Sequence, residues 1–318
     1  MSASSHSGIA ASSIDKIDGI RYSDISSVSG TQRAASYFLD TYTGAKAAYS
    51  LRQLSSTATT AITVENSSGT TADIGFDSNG NLDTSALTTH CGSNYGRVSK
   101  WWDQSGNGNH MEQSTAASRP RIVDTSGNIV TTTDNSINAL DFYGNSTARW
   151  LSDTFSSNNG DHFILSYVGE FRTVTAAQQI VSQWTSSTST QTLQTSIMGA
   201  AQKLRTAARY STASNDLGRA DTTNTVAADT EYVVVSYISA SPYTGDIDVN
   251  GDTATTLTGF PSTGNLRTAS AGITIGRRHD NGAAQYQGYL SEMIIWSDTT
   301  LPDRDNIMTD TKSHYGIT

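Results

Sequence analysis

The sequence predicts an all-β sandwich, and three observations carry that prediction. Runs of β-branched and aromatic residues recur along the chain, among them HFILSYVGEF (162–171), AQQIVSQW (177–184), EYVVVSYIS (231–239) and GYLSEMIIW (288–296). Between such runs lie clusters of Gly, Asn, Asp and Ser, including NSSGTT, DSNGN and DQSGNGN, which are strong turn chemistry. No long helical periodicity interrupts the pattern, so any helices are short.

Residues 1–31 read as an extended N-terminal docking arm, and residues 32–318 as the sandwich. In the arm, SIDKIDGI and SDISSVSGT echo each other: Ile14, Ile17 and Gly19 recur eleven residues later as Ile25, Val28 and Gly30. The small residues around them cannot bury themselves. Ile14, Ile17, Ile20, Ile25 and Val28 are spaced to dock in one groove on a partner, and a mobile leader is the alternative reading.

The body opens with shorter strands at AITVE (61–65), ADIGF (72–76), RVSKWW (97–102) and RPRIV (119–123). DTSALTTHCG (83–92) reads as a helix with Asp83 as N-cap and Gly92 as stop. Further on, GDIDVNG (245–251) alternates, with Ile247 and Val249 inward and Asp246, Asp248 and Asn250 outward. AGITIGR (271–277) adds another strand. PDRDNIMTDTKSHYG closes the chain as a helix with Pro302 in its first turn, Ile307, Thr311 and Tyr315 on one stripe, and Gly316 as stop.

Composition narrows the function classes. The chain has 318 residues and a net charge of −9, with a pI near 5.0. That balance speaks against nucleic-acid or anionic-membrane partners and suits neutral glycans or other proteins. Cys91 is the single cysteine, so no internal disulfide forms and stability rests on packing. The first twenty residues lack the basic-then-apolar pattern of a signal peptide, and no apolar run reaches membrane-spanning length. The expected setting is synthesis in a cytoplasm without membrane insertion.

The stretch KWWDQSGNGNH (100–110) concentrates the functional question. Asp and Asn side chains at alternate positions, interleaved with Gly, fix a tight turn through local hydrogen bonds. The same oxygens suit Ca²⁺, with Asp103 as the one charged candidate ligand. Glycan contact is the third reading, with Trp102, Asn107 and Asn109 as candidates. His110 has no second ligand nearby and reads as a packed histidine.

Two longer patterns carry a resemblance. EYVVVSYIS…GDIDVNGD…AGITIGRR…YQGYLSEMIIW resembles the C-terminal half of concanavalin A-like, laminin-G-like jelly rolls. AAYSLRQL…VSKWWDQSGNGNHMEQSTAASRPRIV resembles a segment shared by α-L-arabinofuranosidase B catalytic domains and tailed-phage virion proteins. Together they cover about residues 33–318. The resemblance implies a concanavalin A-like sandwich with short helices.

For function, the resemblance implies a structural or decorating protein of a bacteriophage particle, on capsid or tail, assembled in the host cytoplasm and located in the virion. It would be multi-copy or homo-oligomeric, held to other virion proteins by the arm, and able to bind host-surface glycans, with Tyr286 a further contact. No enzymatic activity, cofactor or metal is expected on that reading. The alternative is an arabinofuranosidase-like glycoside hydrolase. By motif order its nucleophile would be Glu170 in YVGEF and its acid/base Asp280 in RRHDNGAAQYQG. Glu292 is expected to brace the sheet by a hydrogen bond.

Overall fold

The computed structural model describes residues 37–318 except 145–146, 156–161, 185–190, 212–215, 241, 254, 268–271, 280–283 and 298–299. Before residue 37 it describes six two-residue strands, which pair as three hairpins: Ser5–His6 with Ile9–Ala10, Lys16–Ile17 with Ile20–Arg21, and Ser27–Val28 with Thr31–Gln32. Of the eleven-residue echo, Ile17 and Val28 fall on paired strands, and Gly19 and Gly30 lie outside the described residues. Ile17, Ile20 and Val28 fall on hairpin strands, and Ile14 and Ile25 lie outside the described residues.

The body is an antiparallel sandwich, as the sequence predicts. Its strands are β1 (Ala45–Ser50), β2 (Ile62–Asn66), β3 (Thr71–Ile74), β4 (Gly96–Trp101), β5 (Met111–Glu112), β6 (Arg121–Val123), β7 (Leu140–Asp141), β8 (Leu151–Asp153) and β9 (His162–Phe171). They continue as β10 (Ala177–Trp184), β11 (Gln191–Met198), β12 (Leu204–Arg209), β13 (Leu217–Thr222), β14 (Glu231–Ala240), β15 (Tyr243–Val249), β16 (Thr255–Thr258), β17 (Ile273–Ile275) and β18 (Gly288–Trp296). One layer runs β15-β14-β9-β18-β1. The other runs β8-β17-β10-β11-β12-β13-β16. Strand β4 joins them, reaching β8 through β5 and β18 through β6 and β7.

Alternation on β9 explains why that strand is apolar on both faces. Phe163, Leu165, Tyr167 and Phe171 point between the layers, where they meet Ile180, Leu193, Ile197, Leu204 and Ile275. Ile164 and Val168 point the other way, with Val233, Val235, Ile294 and Trp296. That outer face is roofed by helix α1 (Phe38–Thr41) and helix α3 (Arg304–Tyr315), with Tyr42, Leu54, Ile307 and Met308 filling the contact.

Helix α2 (Thr84–Cys91) has the expected cap: Asp83 accepts from the Ala86 N–H, and Gly92 follows the last turn. Helix α3 starts two residues later than the sequence implies, at Arg304. Asp303 is its N-cap and Pro302 precedes it; Ile307 and Thr311 are buried, and Gly316 ends the helix in the left-handed region. In β15, Ile247 is buried and Val249 packs against the core, but Asp248 is also largely buried, turned back to accept from the Gly251 N–H. No described helix is long and apolar enough to cross a membrane.

Candidate functional site

The loop between β4 and β5 is a stitch between strands. Asp103 is 8% exposed, and its carboxylate accepts four hydrogen bonds: from the Ala48 N–H (2.8 Å), the Ser105 N–H (2.9 Å) and hydroxyl (2.8 Å), and the Asn109 N–H (3.0 Å). Gln104 binds the carbonyls of Ser50 and Arg52 and accepts from the Leu54 N–H. Asn107 and Asn109 donate their amides to the Lys46 carbonyl, and Asn107 also to that of Ala45. Gly106 and Gly108 take φ of +86° and +76°, which this reversal needs. The structural reading of the loop thus accounts for its polar groups. Asp103 faces N–H and O–H donors, the opposite of a cation's surroundings.

Among the other candidates, Tyr286 is fully buried and donates to the carbonyls of Glu170 and Tyr289, so it is a core residue and not a glycan contact. Trp102 keeps part of its surface. Its indole N–H binds the Thr63 hydroxyl, and its ring lies 4.5 Å from that of His110 and 4.6 Å from the Lys100 ammonium.

Glu170 shows 0% exposure. Thr133 donates to it twice, from its backbone N–H (2.6 Å) and its hydroxyl (2.7 Å). Asp280 lies outside the described residues. Glu292 braces the sheet as expected: it is fully buried and takes Arg52 through two guanidinium nitrogens (2.7 and 2.9 Å), with Ser50 and Tyr315 hydroxyls beside it. Burial alone would raise the Glu292 carboxyl; the Arg52 charge and hydrogen bonds, with His314 and the Ser50 hydroxyl, together outweigh it and hold the group below the usual glutamate range.

The feature that motif reading missed is an open cleft of about 510 Å³ beside the loop. It is lined by Gly108, His110, Glu112, Ser152, Asp153, Thr154, Gly272 and His279. Strand pairing assembles it. Glu112 sits opposite Ser152 across β5 and β8, and Ser152 opposite Thr274 across β8 and β17. His279 is held by two contacts: its backbone N–H donates to the Ser182 hydroxyl, and its Nδ1 is 2.6 Å from the Thr274 hydroxyl. The Asp103 N–H donates to Nδ1 of His110 (3.0 Å), so the neutral ring carries its proton on Nε2. Glu112 pairs with Lys100 at 2.7 Å and stays half exposed. Tyr49 donates to the Asn109 carbonyl; burial first, then the charges of Asp103 and Asp153, push its hydroxyl well above the usual tyrosine range. Two carboxylates and two imidazoles therefore border one open space. The signal in the sequence was the HME of 110–112, which alternates around a buried Met111.

No protein-family model matches the chain, and no curated protein matches it. Solved structures do. The chain aligns with an arabinofuranosidase complexed with arabinofuranosyl-α-1,2-xylobiose at a TM-score of 0.53 and 15% identity, covering 86% of this chain and 62% of that one. A GH54 α-L-arabinofuranosidase soaked with a cyclic sulfate inhibitor aligns at 0.54 and 15%, with the same coverage. The chain spans about 62% of the length of these two proteins. A Ruminococcus gnavus sialidase carbohydrate-binding domain aligns over 50% of this chain at 0.40 and 12% identity, a likeness too low to argue from.

The sandwich fold is thereby shared with arabinofuranosidases. The expectations of a non-enzymatic decorating protein of a phage particle are corrected on the same finding. The two solved structures described above, which align over 86% of the chain, are arabinofuranosidases and not virion proteins.

Proposed function

We propose that the chain is a carbohydrate-active protein of the glycoside-hydrolase kind, taking a saccharide in the cleft of His110, Glu112, Asp153 and His279. The observation that carries this reading is the cleft itself: two carboxyl groups and several fixed hydrogen-bond partners open to water on a sandwich shared with arabinofuranosidases.

Glycoside cleavage needs one carboxyl group to protonate the leaving oxygen and a carboxylate facing the anomeric carbon or a water beside it. Glu112 and Asp153 supply those two groups. The Nε2–H of His110 and the hydroxyls of Ser152 and Thr154 are donors for sugar hydroxyls, and the His110 ring is backed by Trp102. Glu170, held by Thr133 beneath a loop, serves the fold in this reading.

The test is hydrolysis of a panel of 4-nitrophenyl glycosides, α-L-arabinofuranoside first. Turnover should fall at least 100-fold in Glu112→Gln or Asp153→Asn and stay within about 3-fold in Glu170→Gln, the size expected when a reacting carboxyl is lost and when it is not. Absence of turnover across the panel, or turnover indifferent to both cleft variants, rejects the proposal.

A further inference from the structure

A second cavity lies on the face of β4 and β6 turned away from the core. It is about 320 Å³ and is lined by Arg97, Ala117, Arg119, Arg121, Tyr143, Gly144, Thr147 and Arg149. Four guanidiniums around one space are notable in a chain of net charge −9.

Two of the four are neutralised. Arg119 binds Glu65 at 2.7 Å, and Arg149 binds Asp141 at 2.5 Å. The other two make no such ion pair, although Asp141 is the cross-strand neighbour of Arg121 and its charge acts on that guanidinium. Arg97 and Arg121 stand directly opposite each other across the β4–β6 pair, where like charges repel. Glu65 is the cross-strand neighbour of Arg97 on the other side, yet its carboxylate is turned to Arg119. Among the described residues, Arg97 and Arg121 make no ion pair. Both share the Tyr95 ring instead, at 4.4 and 5.8 Å. Burial, then Arg149 and Arg97, make the Arg121 guanidinium hold its proton less tightly than usual, against the opposing charge of Asp141.

Two guanidiniums at directly opposed positions repel, and an anion held between them would offset that repulsion. Guanidiniums bind oxyanions through paired N–H donors. The cavity has room for one sugar ring or one small anion, and the overall negative charge repels a long polyanion. We propose that Arg97 and Arg121, with Tyr143 and Thr147 at the rim, form a binding site for the acid group, carboxylate or sulfate ester, of a charged sugar residue. The choice of a sugar rests on the carbohydrate-active reading above; the anion site itself does not depend on the chemistry of the cleft.

The experiment measures binding, so that failure of hydrolysis and failure of this site are separate results. Calorimetry on the whole chain would compare a galacturonate hexamer, a sulfated hexasaccharide, a neutral hexaose, inorganic sulfate and a short single-stranded DNA, all at matched ionic strength. At least one acidic hexasaccharide should bind at least ten-fold more tightly than the neutral one. Arg121→Gln should remove at least ten-fold of that affinity, and the Arg97→Gln/Arg121→Gln double variant should abolish the preference. Lys203→Gln, with the same charge loss on another strand connection, should leave it intact. The variants should melt no lower than the parent, since a repulsion is relieved. Equal binding of acidic and neutral sugars, an equal effect of Lys203→Gln, or sulfate or DNA matching the best sugar would each overturn the proposal.

Discussion

Glu170 and Glu231 face each other across the β9–β14 pair, and both are buried, at 0% and 2% exposure. Directly opposed residues on antiparallel strands hold their Cβ atoms about 4.5–5.5 Å apart. One segment secures both acids: Thr133 donates to Glu170, and Asn135 donates to Glu231 at 2.8 Å. Among the described residues, the second Glu231 oxygen, Oε1, meets no hydrogen-bond partner. Burial raises the Glu231 carboxyl above the usual glutamate range, and the neighbouring charges of Glu170 and Asp134 add to the rise while Asn135 and Thr132 oppose it.

A pH prediction follows from that direction. A carboxyl raised on folding contributes stability that is complete below its unfolded value and is lost as pH rises through its folded value. Glu231 should therefore make the protein less stable on going from about pH 4, near the ordinary glutamate value, toward neutrality. Glu231→Gln, which cannot ionise, should flatten this slope and melt higher than the parent at pH 7. Melting curves from pH 4 to 8 check it; parallel curves for the two proteins would refute the assignment.

The Arg52–Glu292 pair should behave oppositely. The Glu292 carboxyl is held low, so its contribution is present above the unfolded value and lost as pH falls through the folded one. Arg52→Ala would strand a fully buried carboxylate at a cost of about 3–5 kcal/mol. The loss should be much smaller in Arg52→Met/Glu292→Gln, which removes both charges. Denaturant midpoints for the single and double variants read the difference.

Asp103 should be costly to remove because its four hydrogen bonds tie β1 to the loop. Asp103→Ala leaves the buried Ala48 N–H unsatisfied, and about 3 kcal/mol should be lost. Asn107→Ala should lose about 1 kcal/mol, the scale of one net hydrogen bond. A chelator should leave the parent's melting temperature where it is. A chelator-induced drop in the parent that Asp103→Ala does not show would mean the carboxylate holds a cation.

Tyr286→Phe removes one hydroxyl that donates to two backbone carbonyls in the core. About 1–2 kcal/mol of stability should go, with saccharide affinity unchanged. Weakened sugar binding at unchanged stability would return Tyr286 to the glycan face.

The sequence by itself determined the long strands and the loop. Strands at 162–171, 177–184 and 288–296 fall where the residue runs put them, because β9 and β18 are apolar on both faces and lie beneath a helix layer. The DQSGNGNH turn was legible because Asx hydrogen bonds and positive-φ glycines act within a few residues. Strands β11, β12 and β13 were not, since Gln, Thr, Ser, Ala and Arg dominate them and their outer faces are polar. Only the tertiary structure decided the sites. Glu170, the nucleophile candidate by motif order, is buried and held by Thr133. Glu112, Asp153 and His279 meet in one cleft, and Arg97, Arg121 and Arg149 in another, through strand pairings between residues far apart in the chain. Local propensity carries no information about which distant strand a residue will face; that is fixed when the two layers bury their apolar faces against each other.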